Sequence, residues 1–568
     1  MGTAFSLPNL LFGISHGMSH LFNISWTQEF SRLFWSGDPY PRFLDGLNNG
    51  VGSLAWWIYA PLPFYVNALS GGLICAGCEP TTQVAIGEWL MLLGSGLAFF
   101  HLARQHAGRW PALVGALFYM LAPYHFEIDL WRRQSIGEFA AYVWMPLVVL
   151  YFARATTALQ AGAAPGPGGA TRALAVGALA YAALVLSHLP AAVLFSLCLP
   201  LLALFHAAWQ RSWRPLLTLA GMVLLGLGLA CLYLLPAVTI QGIDIYSHTG
   251  FHPWHYYANW FFLDGRDAPD EGFTSRICLI WLTNTIAAVL LFVAAGGLRR
   301  GAQRRQLLWW LAAVALVAFM VTPVSTPIWE LLPFLQQVQF PWRIMIVTDL
   351  ALAMLGVLAL EALFAAASPA RIALVTVSGL LLLAVAVADW RQFKNISPFY
   401  GPEEATLDRR ALQVGTDTPE YMPMWVQIDQ TELIRRVESL PRASLLSGSG
   451  EVEVTQWDNR RLALRVRLSS DTQVLLRQVY VPWWQARIEG NDVRAIVARP
   501  APETGLLTLQ LPAGDYALRV TLSTPPVERV GQALSGASLG VLLWLLLWAG
   551  RRSREPVAAS LTARPAAT

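Results

Sequence analysis

Residues 123–139 carry a dense group of side chains that can transfer protons or bind a metal. The segment reads PYHFEIDLWRRQSIGEF, and a carboxylate there can act as a general base or, with a histidine, ligate a divalent metal. Salt bridging to the neighbouring arginines is the alternative role of the acids. The candidates for catalysis or metal binding are Asp129, Glu138 and His125, and those for phosphate binding are Arg132 and Arg133.

The N-terminal stretch 15–65, called the platform below, collects polar, aromatic, glycine and proline residues in an otherwise apolar chain. Its histidines and carboxylates can serve in acid–base chemistry, and a guanidinium offers a planar donor fork for a phosphate or pyrophosphate. Anchoring of lipid head groups explains the arginines equally well. The candidates are His16, His20, Glu29 and Asp38 for catalysis, Arg42 with Arg343 of QFPWR for phosphate, and Tyr40 and Tyr65 for contacts to substrates.

The composition indicates that these residues are held in place by a scaffold embedded in a membrane. Of the 568 residues, 55% are hydrophobic and only 13% are charged, which is too apolar for a soluble globular protein of this size. The net charge of +4 is spread over many connections, so nothing indicates binding to nucleic acid. We predict an α-helical polytopic membrane protein.

Apolar runs predict about 11 or 12 transmembrane spans. Alternate connections are short and rich in arginine, which places them in the cytoplasm by the positive-inside rule. The remaining connections, at 124–138, 237–276, 324–342 and 389–532, then lie outside. The predicted spans are 83–103, 110–123, 139–154, 173–187, 190–208, 215–236, 277–298, 306–323, 343–365, 371–388 and 533–550.

This alternation holds only if residues 15–82 lie outside as well. Pro61 and Pro63 interrupt the apolar run after Leu54, and its tryptophans and tyrosines are typical of a membrane interface. We therefore predict juxtamembrane helices on the outer leaflet, preceded by a partial first helix. One more kinked span is the alternative, and it would invert the orientation of everything upstream.

Histidines concentrate on the predicted outer face. Seven of the ten lie there, and none follows His255. This distribution favours a functional site on that face, although imidazole rings also suit the interfacial belt. The histidines in question are His16, His20, His125, His188, His248, His252 and His255, of which His125, His188, His252 and His255 are candidates for contacts to donor or acceptor.

A β-rich domain is predicted at about 390–532, on the outer face. RLALRVRL, LLTLQL and YALRVTL alternate apolar and polar residues, which indicates half-buried antiparallel strands of a β-sandwich. A last span at 533–550 and a cytoplasmic tail at 551–568 follow. In the predicted N-terminal domain at 1–82, Cys75 and Cys78 face an oxidising compartment on this topology, where they can form a local disulfide.

Several of these segments together resemble a family of bacterial membrane proteins related to the GT-C glycosyltransferases. The resemblance is greatest to YfhO-like proteins and to the family labelled 6-pyruvoyl-tetrahydropterin synthase-related. The matching segments are SHGMSHL, GDPYPRFLDGLNNGVGS, APLPFY, PYHFEIDLWRRQSIGEF, SHLP, QFPWR, VYVPWWQARIEGND and ETGLLTLQLPAGDY.

The resemblance implies a GT-C enzyme of the bacterial cytoplasmic membrane, with its active face and β-rich domain outside. Such an enzyme moves a sugar from a polyprenyl-phosphate donor to a lipid-linked or surface glycan. An acid of the first outer loop activates the acceptor, and a second acid after the third span can join it, sometimes around a divalent metal. By loop position, Asp129 or Glu138 fits the second role.

One departure from the family pattern concerns the first of these acids. The pattern His-Asp-Gly-x-x-His is SHGMSH in this chain, so His16 stands where the acid is expected. Glu29, Asp38 or Asp45 would have to replace it. A non-catalytic scaffold that binds a lipid-linked glycan is therefore an alternative function, and a lipid or glycan transporter is another.

Overall fold

The computed structural model is mostly helical, with a β-rich region near the C-terminus. It consists of a helical bundle, the platform at one end of the bundle, and the β-rich region packed on the platform. The described residues are 7, 9–11, 13–160, 166–243, 256–261, 273–298, 302–396, 402–489 and 495–552.

Nine helices among these residues are long and apolar enough to cross a membrane. A tenth span results if the helix pair Arg304–Met320 and Pro323–Leu331, bent by 91°, is one broken span. These lengths and compositions indicate a multi-pass membrane protein. The nine are Pro80–Ala103, Ile136–Gln160, Gly168–Ser187, Leu189–Gln210, Arg214–Ile243, Phe273–Ala294, Pro341–Ala365, Pro369–Val387 and Pro526–Arg551.

The predicted span at 110–123 is not among these nine candidates. Its helix, Arg109–Met120, has 12 residues and is about 18 Å long, well short of the roughly 30 Å of hydrocarbon in a bilayer. The chain then passes through Pro123 into a π-helix, Tyr124–Arg132, whose charged residues do not continue the apolar run. Each of the other predicted spans overlaps one of the helices above or the bent pair.

Shorter helices connect these elements. In the platform region they are His20–Trp35, Leu47–Gly50, Ala55–Ile58 and Leu62–Leu73, none of them a candidate span. Those outside it are Pro333–Gln336, Pro402–Val414 and Gln430–Val437. The bent pair consists of Ala302–Met320, the 3₁₀ turn Pro323–Ser325 and Thr326–Leu331, and the other 3₁₀ turns are Gln241–Ile243, Tyr256–Ala258, Pro341–Ile344 and Pro419–Tyr421.

The two kinds of connection lie at opposite ends of the bundle. At one end the backbone N–H of Gly108 donates to Glu361 Oε2 at 2.8 Å, and Arg305 lies 5.1 Å from the ring of Trp209. At the other end, the platform contacts residues 130–134, and Arg343 approaches Glu138. The alternation read from the arginines therefore corresponds to the spatial arrangement of the helices.

The platform has an aromatic core. Trp56 lies 4.5 Å from Phe64 and 4.9 Å from Phe30 between ring centroids, and Trp26 packs on the same cluster. Asn48 and Asn49 adopt left-handed backbone conformations, with φ of 55° and 57°, which asparagine tolerates better than most residues. Beyond the platform, Cys75 and Cys78 form a disulfide.

The β-rich region comprises two antiparallel sheets that enclose one core. Their strands are β1 (Ala443–Ser447), β2 (Gly450–Asp458), β3 (Arg461–Leu468), β4 (Thr472–Val479), β5 (Trp484–Ile488), β6 (Ala495–Ile496), β7 (Ala498–Pro500), β8 (Leu506–Leu511) and β9 (Gly514–Leu522). The strand orders are β1-β4-β8-β7 and β2-β3-β9-β5-β6. The predicted antiparallel strands are confirmed, and burial alternates along β3 and the second half of β9, whereas β8 is buried at all positions except Gln510.

Backbone hydrogen bonds attach the platform to this region. Val479 N donates to Val51 O at 2.8 Å, and Asn48 N donates to Gly415 O at 2.8 Å. Asp417 reinforces the contact, because its Oδ1 accepts from Trp26 Nε1 at 2.9 Å. The platform is thus held between the bundle and the β-rich region.

The stability of this attachment is expected to depend on pH. Burial raises the pKa of Asp417 from 3.8 to about 6, so the folded state binds this proton more tightly than the unfolded state. The stabilisation from the protonated carboxyl is fully present below pH 4 and is lost as pH rises through 6. The free energy of unfolding then falls by about 3 kcal/mol, at 1.4 kcal/mol per pKa unit. Asp417→Asn should remove this decrease.

Denaturant unfolding of the detergent-solubilised protein, followed by tryptophan fluorescence from pH 4 to 7, measures the effect. Asp458→Asn, which alters an exposed acid of the same region, is the control and should keep the slope of the wild type. Equal slopes in the wild type and Asp417→Asn would contradict the assignment.

Candidate functional site

Two carboxylates and two arginines meet at the platform end of the bundle; we call them the carboxylate–arginine cluster. Asp129 belongs to the π-helix Tyr124–Arg132, and Glu138 lies in the first turn of Ile136–Gln160. Between them Gln134 has a left-handed backbone, with φ of 53°, which reverses the chain. Arg133 precedes this reversal, and Arg343 comes from the 3₁₀ turn Pro341–Ile344.

Arg133 bridges the two acids of this cluster. Its Nη1 lies 2.7 Å from Asp129 Oδ1 and 2.8 Å from Glu138 Oε2. Tyr124 donates its hydroxyl proton to Glu138 Oε1 at 2.8 Å, and Arg343 Nε lies 3.5 Å from Glu138 Oε2. Both carboxylates are fully buried. Arg133 therefore forms the salt bridges that are the alternative to a catalytic role for these two acids.

Arg132 lies outside this cluster and contacts another acid. Its Nε lies 3.8 Å from Glu127 Oε1, and the same oxygen lies 2.6 Å from Arg276 Nε. The adjacent residues Arg132 and Arg133 thus pair with different acids, because successive side chains of a helix point in different directions.

The environments of the two acids differ. Burial and the charge of Glu138 raise the pKa of Asp129 well above its ordinary value, against the opposing effect of Arg133 and Arg343. Asp129 Oδ2 has no hydrogen-bond partner among the described residues. Glu138, in contrast, contacts both arginines and Tyr124. Asp129 is therefore the better proton acceptor, and Glu138 is the acid that holds the guanidiniums in place.

Tyr59 and His188 border Glu138 at the start of its helix. A Cβ on Gly137 would lie 2.9 Å from Ser187 O, 3.2 Å from His188 Cδ2 and 3.4 Å from Tyr59 OH, so glycine permits this close approach. His188 Nδ1 accepts from Ala191 N at 3.2 Å and caps the following helix. The platform thus reaches the cluster through Tyr59.

His125 does not join Asp129 and Glu138 in a metal site. Its ring stacks on Tyr142, 3.6 Å between centroids and 3° between planes, and its Nδ1 lies 3.0 Å from Tyr119 O. Arg133 occupies the space between the two carboxylates. Among the described residues, one group of at least three metal-ligating side chains has ligand atoms within 4.8 Å of one another, and it consists of His16, His20 and Asp408.

Asp349 is a buried acid that the sequence reasoning did not select. It accepts from Tyr142 OH at 3.0 Å and from Asn284 Nδ2 at 3.2 Å, and its helix packs beside the π-helix. A carboxylate inside a predicted span, here 343–365, is costly unless it pairs or works, and that signal could have identified it.

Most platform candidates have contacts within the platform. Arg42 is fully buried, and it donates to Trp56 O at 3.1 Å and to Leu232 O. Tyr40 packs on its guanidinium at 3.7 Å. Arg42 therefore joins the platform to the bundle, and its role in binding phosphate stays a prediction.

The remaining platform candidates lie apart from the carboxylate–arginine cluster. Glu29 Oε2 pairs with Arg32 Nη2 at 2.7 Å. Asp38 Oδ1 accepts from Tyr40 N at 3.1 Å, and Tyr65 donates its hydroxyl proton to Pro39 O at 2.6 Å. His252 and His255 lie outside the described residues, as does most of the loop that carries them.

A comparison with protein-family models finds no match, and a comparison with curated proteins finds none either. The resemblance to the GT-C glycosyltransferases stays a prediction from the sequence.

Proposed function

We propose that this protein is a membrane glycosyltransferase of GT-C type, which transfers a sugar from a polyprenyl-phosphate donor to a lipid-linked or surface glycan. The observation that carries the proposal is the carboxylate–arginine cluster at the end of an apolar helical bundle. It supplies the two kinds of charged group that such a reaction needs. A carboxylate can act as the base for the acceptor hydroxyl, and guanidiniums can stabilise the leaving phosphate.

In the proposed reaction, the acceptor hydroxyl attacks the anomeric carbon and gives its proton to Asp129. The bond from the anomeric carbon to the phosphate oxygen breaks, and the electron pair leaves with polyprenyl phosphate. Arg343 stabilises the charge that develops on this phosphate, because a buried guanidinium is worth more than one in water. Direct displacement inverts the anomeric configuration.

Access to the cluster requires movement. Asp129 and Glu138 are each 0% exposed, so an acceptor hydroxyl reaches Asp129 only when a covering element shifts. Arg343 is less enclosed, with 12% of its side chain exposed. Donor phosphate therefore meets Arg343 first in this proposal.

The function is tested with the purified protein in lipid nanodiscs and a panel of polyprenyl-phosphate sugars. Release of polyprenyl phosphate in the presence of envelope glycolipids, measured by mass spectrometry, is the expected result. Arg343→Gln should raise the KM for the donor roughly 10–100-fold, since a hydrogen bond to a charged group contributes about 1.5–3 kcal/mol.

Arg371→Gln is the matched control. Arg371 Nη1 donates to Ala362 O at 3.0 Å at the opposite end of the bundle, so the substitution should leave the KM for the donor unchanged. An equal rise of KM in both variants would contradict the role of Arg343. A wild type that releases no polyprenyl phosphate from any donor would argue against the function.

Complete burial of Asp129 and Glu138 favours a second candidate function. A non-catalytic scaffold can retain a buried ion-pair network for structure alone, and His16 stands where the family pattern has an acid. Binding of a polyprenyl-phosphate sugar without turnover, in the same nanodiscs, would support this candidate.

A further inference from the structure

His16, His20 and Asp408 converge at the edge of the platform. His16 precedes the helix His20–Trp35, His20 is its first residue, and Asp408 comes from Pro402–Val414, far along the chain. His20 Nε2 lies 3.5 Å from Asp408 Oδ1, and the histidine rings are 4.5 Å apart between centroids. Asp408 is only 5% exposed. Three side chains of ligating types thus share one largely enclosed space.

The hydrogen bond of His20 determines its tautomer, and therefore whether the nitrogen that faces Asp408 carries a proton or a lone pair. Its Nδ1 lies 2.7 Å from Gly17 O, and a carbonyl only accepts, so Nδ1 carries a proton. In neutral His20, Nε2 is then unprotonated and directed at a carboxylate oxygen. Nε2 is buried and has no hydrogen-bond partner among the described residues. Two facing lone pairs repel each other unless a proton or a metal cation lies between them, and a backbone bond at the other nitrogen is typical of metal-ligating histidines.

We propose that His16, His20 and Asp408 bind a divalent transition metal of the zinc type. Two imidazoles and one carboxylate form the ligand set of many three-ligand zinc sites, with a fourth position for water or a further ligand. Ligand atoms of a tetrahedral zinc ion lie roughly 3.4 Å apart. The separation of 3.5 Å between His20 Nε2 and Asp408 Oδ1 already matches this value.

The ion would fix the N-terminal loop against the helix Pro402–Val414, and the same loop contacts the segment that carries the carboxylate–arginine cluster. Met18 N donates to Arg132 O and Ser19 N to Arg133 O, each at 3.0 Å. The metal site therefore lies beside the backbone of Arg133. This inference goes beyond the proposed function and does not depend on it.

The test uses the full-length protein in detergent, first treated with a chelator and then titrated with Zn²⁺, with the bound metal measured by plasma mass spectrometry. We expect one equivalent per chain. We also expect visible absorption bands with Co²⁺ in place of Zn²⁺, because Co²⁺ in such a site has ligand-field transitions. Asp408→Asn, which keeps the size of the side chain, and His20→Ala should each weaken binding at least about tenfold.

His101→Ala is the control, since His101 lies exposed on the helix Pro80–Ala103 and should leave binding unchanged. The proposal is overturned if the wild type binds no more metal than a His16→Ala/His20→Ala double variant. It is also overturned if folded Asp408→Asn binds as tightly as the wild type. A doubly protonated His20 paired with Asp408 in metal-saturated protein, seen by NMR, would show an ion pair instead. The measurement on the wild type does not depend on how well any variant folds.

Discussion

Replacing Asp129 with asparagine is expected to lower the rate of sugar transfer by roughly 10²–10⁴-fold, the range for loss of a general base. Asparagine keeps an oxygen that can accept the hydrogen bond from Arg133 Nη1, now 2.7 Å from Asp129 Oδ1, but it cannot take a proton. The KM for the donor should change little, because Asp129 does not contact the phosphate in the proposed reaction. Release of polyprenyl phosphate in nanodiscs, as a function of donor concentration, measures both quantities.

Glu138→Gln is expected to act differently. It removes the charge that holds Arg133 and Arg343 in place, while it keeps an acceptor for Tyr124 OH, so the KM for the donor should rise along with the loss of rate. Glu88→Gln is the matched control, because Glu88 is also buried, at 2% exposed, and its Oε2 accepts from Asn9 Nδ2 at 2.8 Å. Full activity in both Asp129→Asn and Glu138→Gln would remove this cluster as the active site.

Arg42→Met is expected to destabilise the folded protein by roughly 3–5 kcal/mol, the cost of breaking a buried ion pair from one side. Arg42 Nε lies 3.5 Å from Glu528 Oε1, and Glu528 Oε2 accepts from Trp57 Nε1 at 3.0 Å. The substitution leaves a buried carboxylate without this guanidinium and removes the donors to Trp56 O and Leu232 O. Platform, bundle and final helix lose a shared connection.

Thermal unfolding in detergent and the protease sensitivity of the platform report this loss. Arg435→Met is the control, because Arg435 pairs with Glu432 with 70% of its side chain exposed, and such pairs contribute less than about 1 kcal/mol. The double variant Arg42→Met/Glu528→Gln should be more stable than Arg42→Met alone, since it no longer buries an unpaired charge. Similar melting temperatures for Arg42→Met, Arg435→Met and the wild type would show that the pair contributes little.

Local patterns in the sequence predicted elements well where the pattern itself fixes burial. The alternation of Leu462, Leu464 and Val466 with arginines predicted β3, and all three side chains are buried. Pro61 and Pro63 predicted that the apolar run after Leu54 breaks into short helices, as it does. The helix in the predicted span 110–123 ends earlier than predicted, at Met120, because hydropathy sums over a window, whereas a helix ends where Pro123 and the charges after it change the backbone.

The sequence by itself determined which segments are apolar enough to enter a membrane, which connections share an end of the bundle, and where the β-rich region lies. These properties follow from hydropathy and from periods of two or 3.6 residues, which each segment carries alone. The tertiary structure decided the partners of the polar residues. Only the fold brings Arg343 to Glu138, Arg42 to Glu528 and His20 to Asp408. Such pairs join segments that are distant along the chain, and no local pattern specifies which distant element covers a given face.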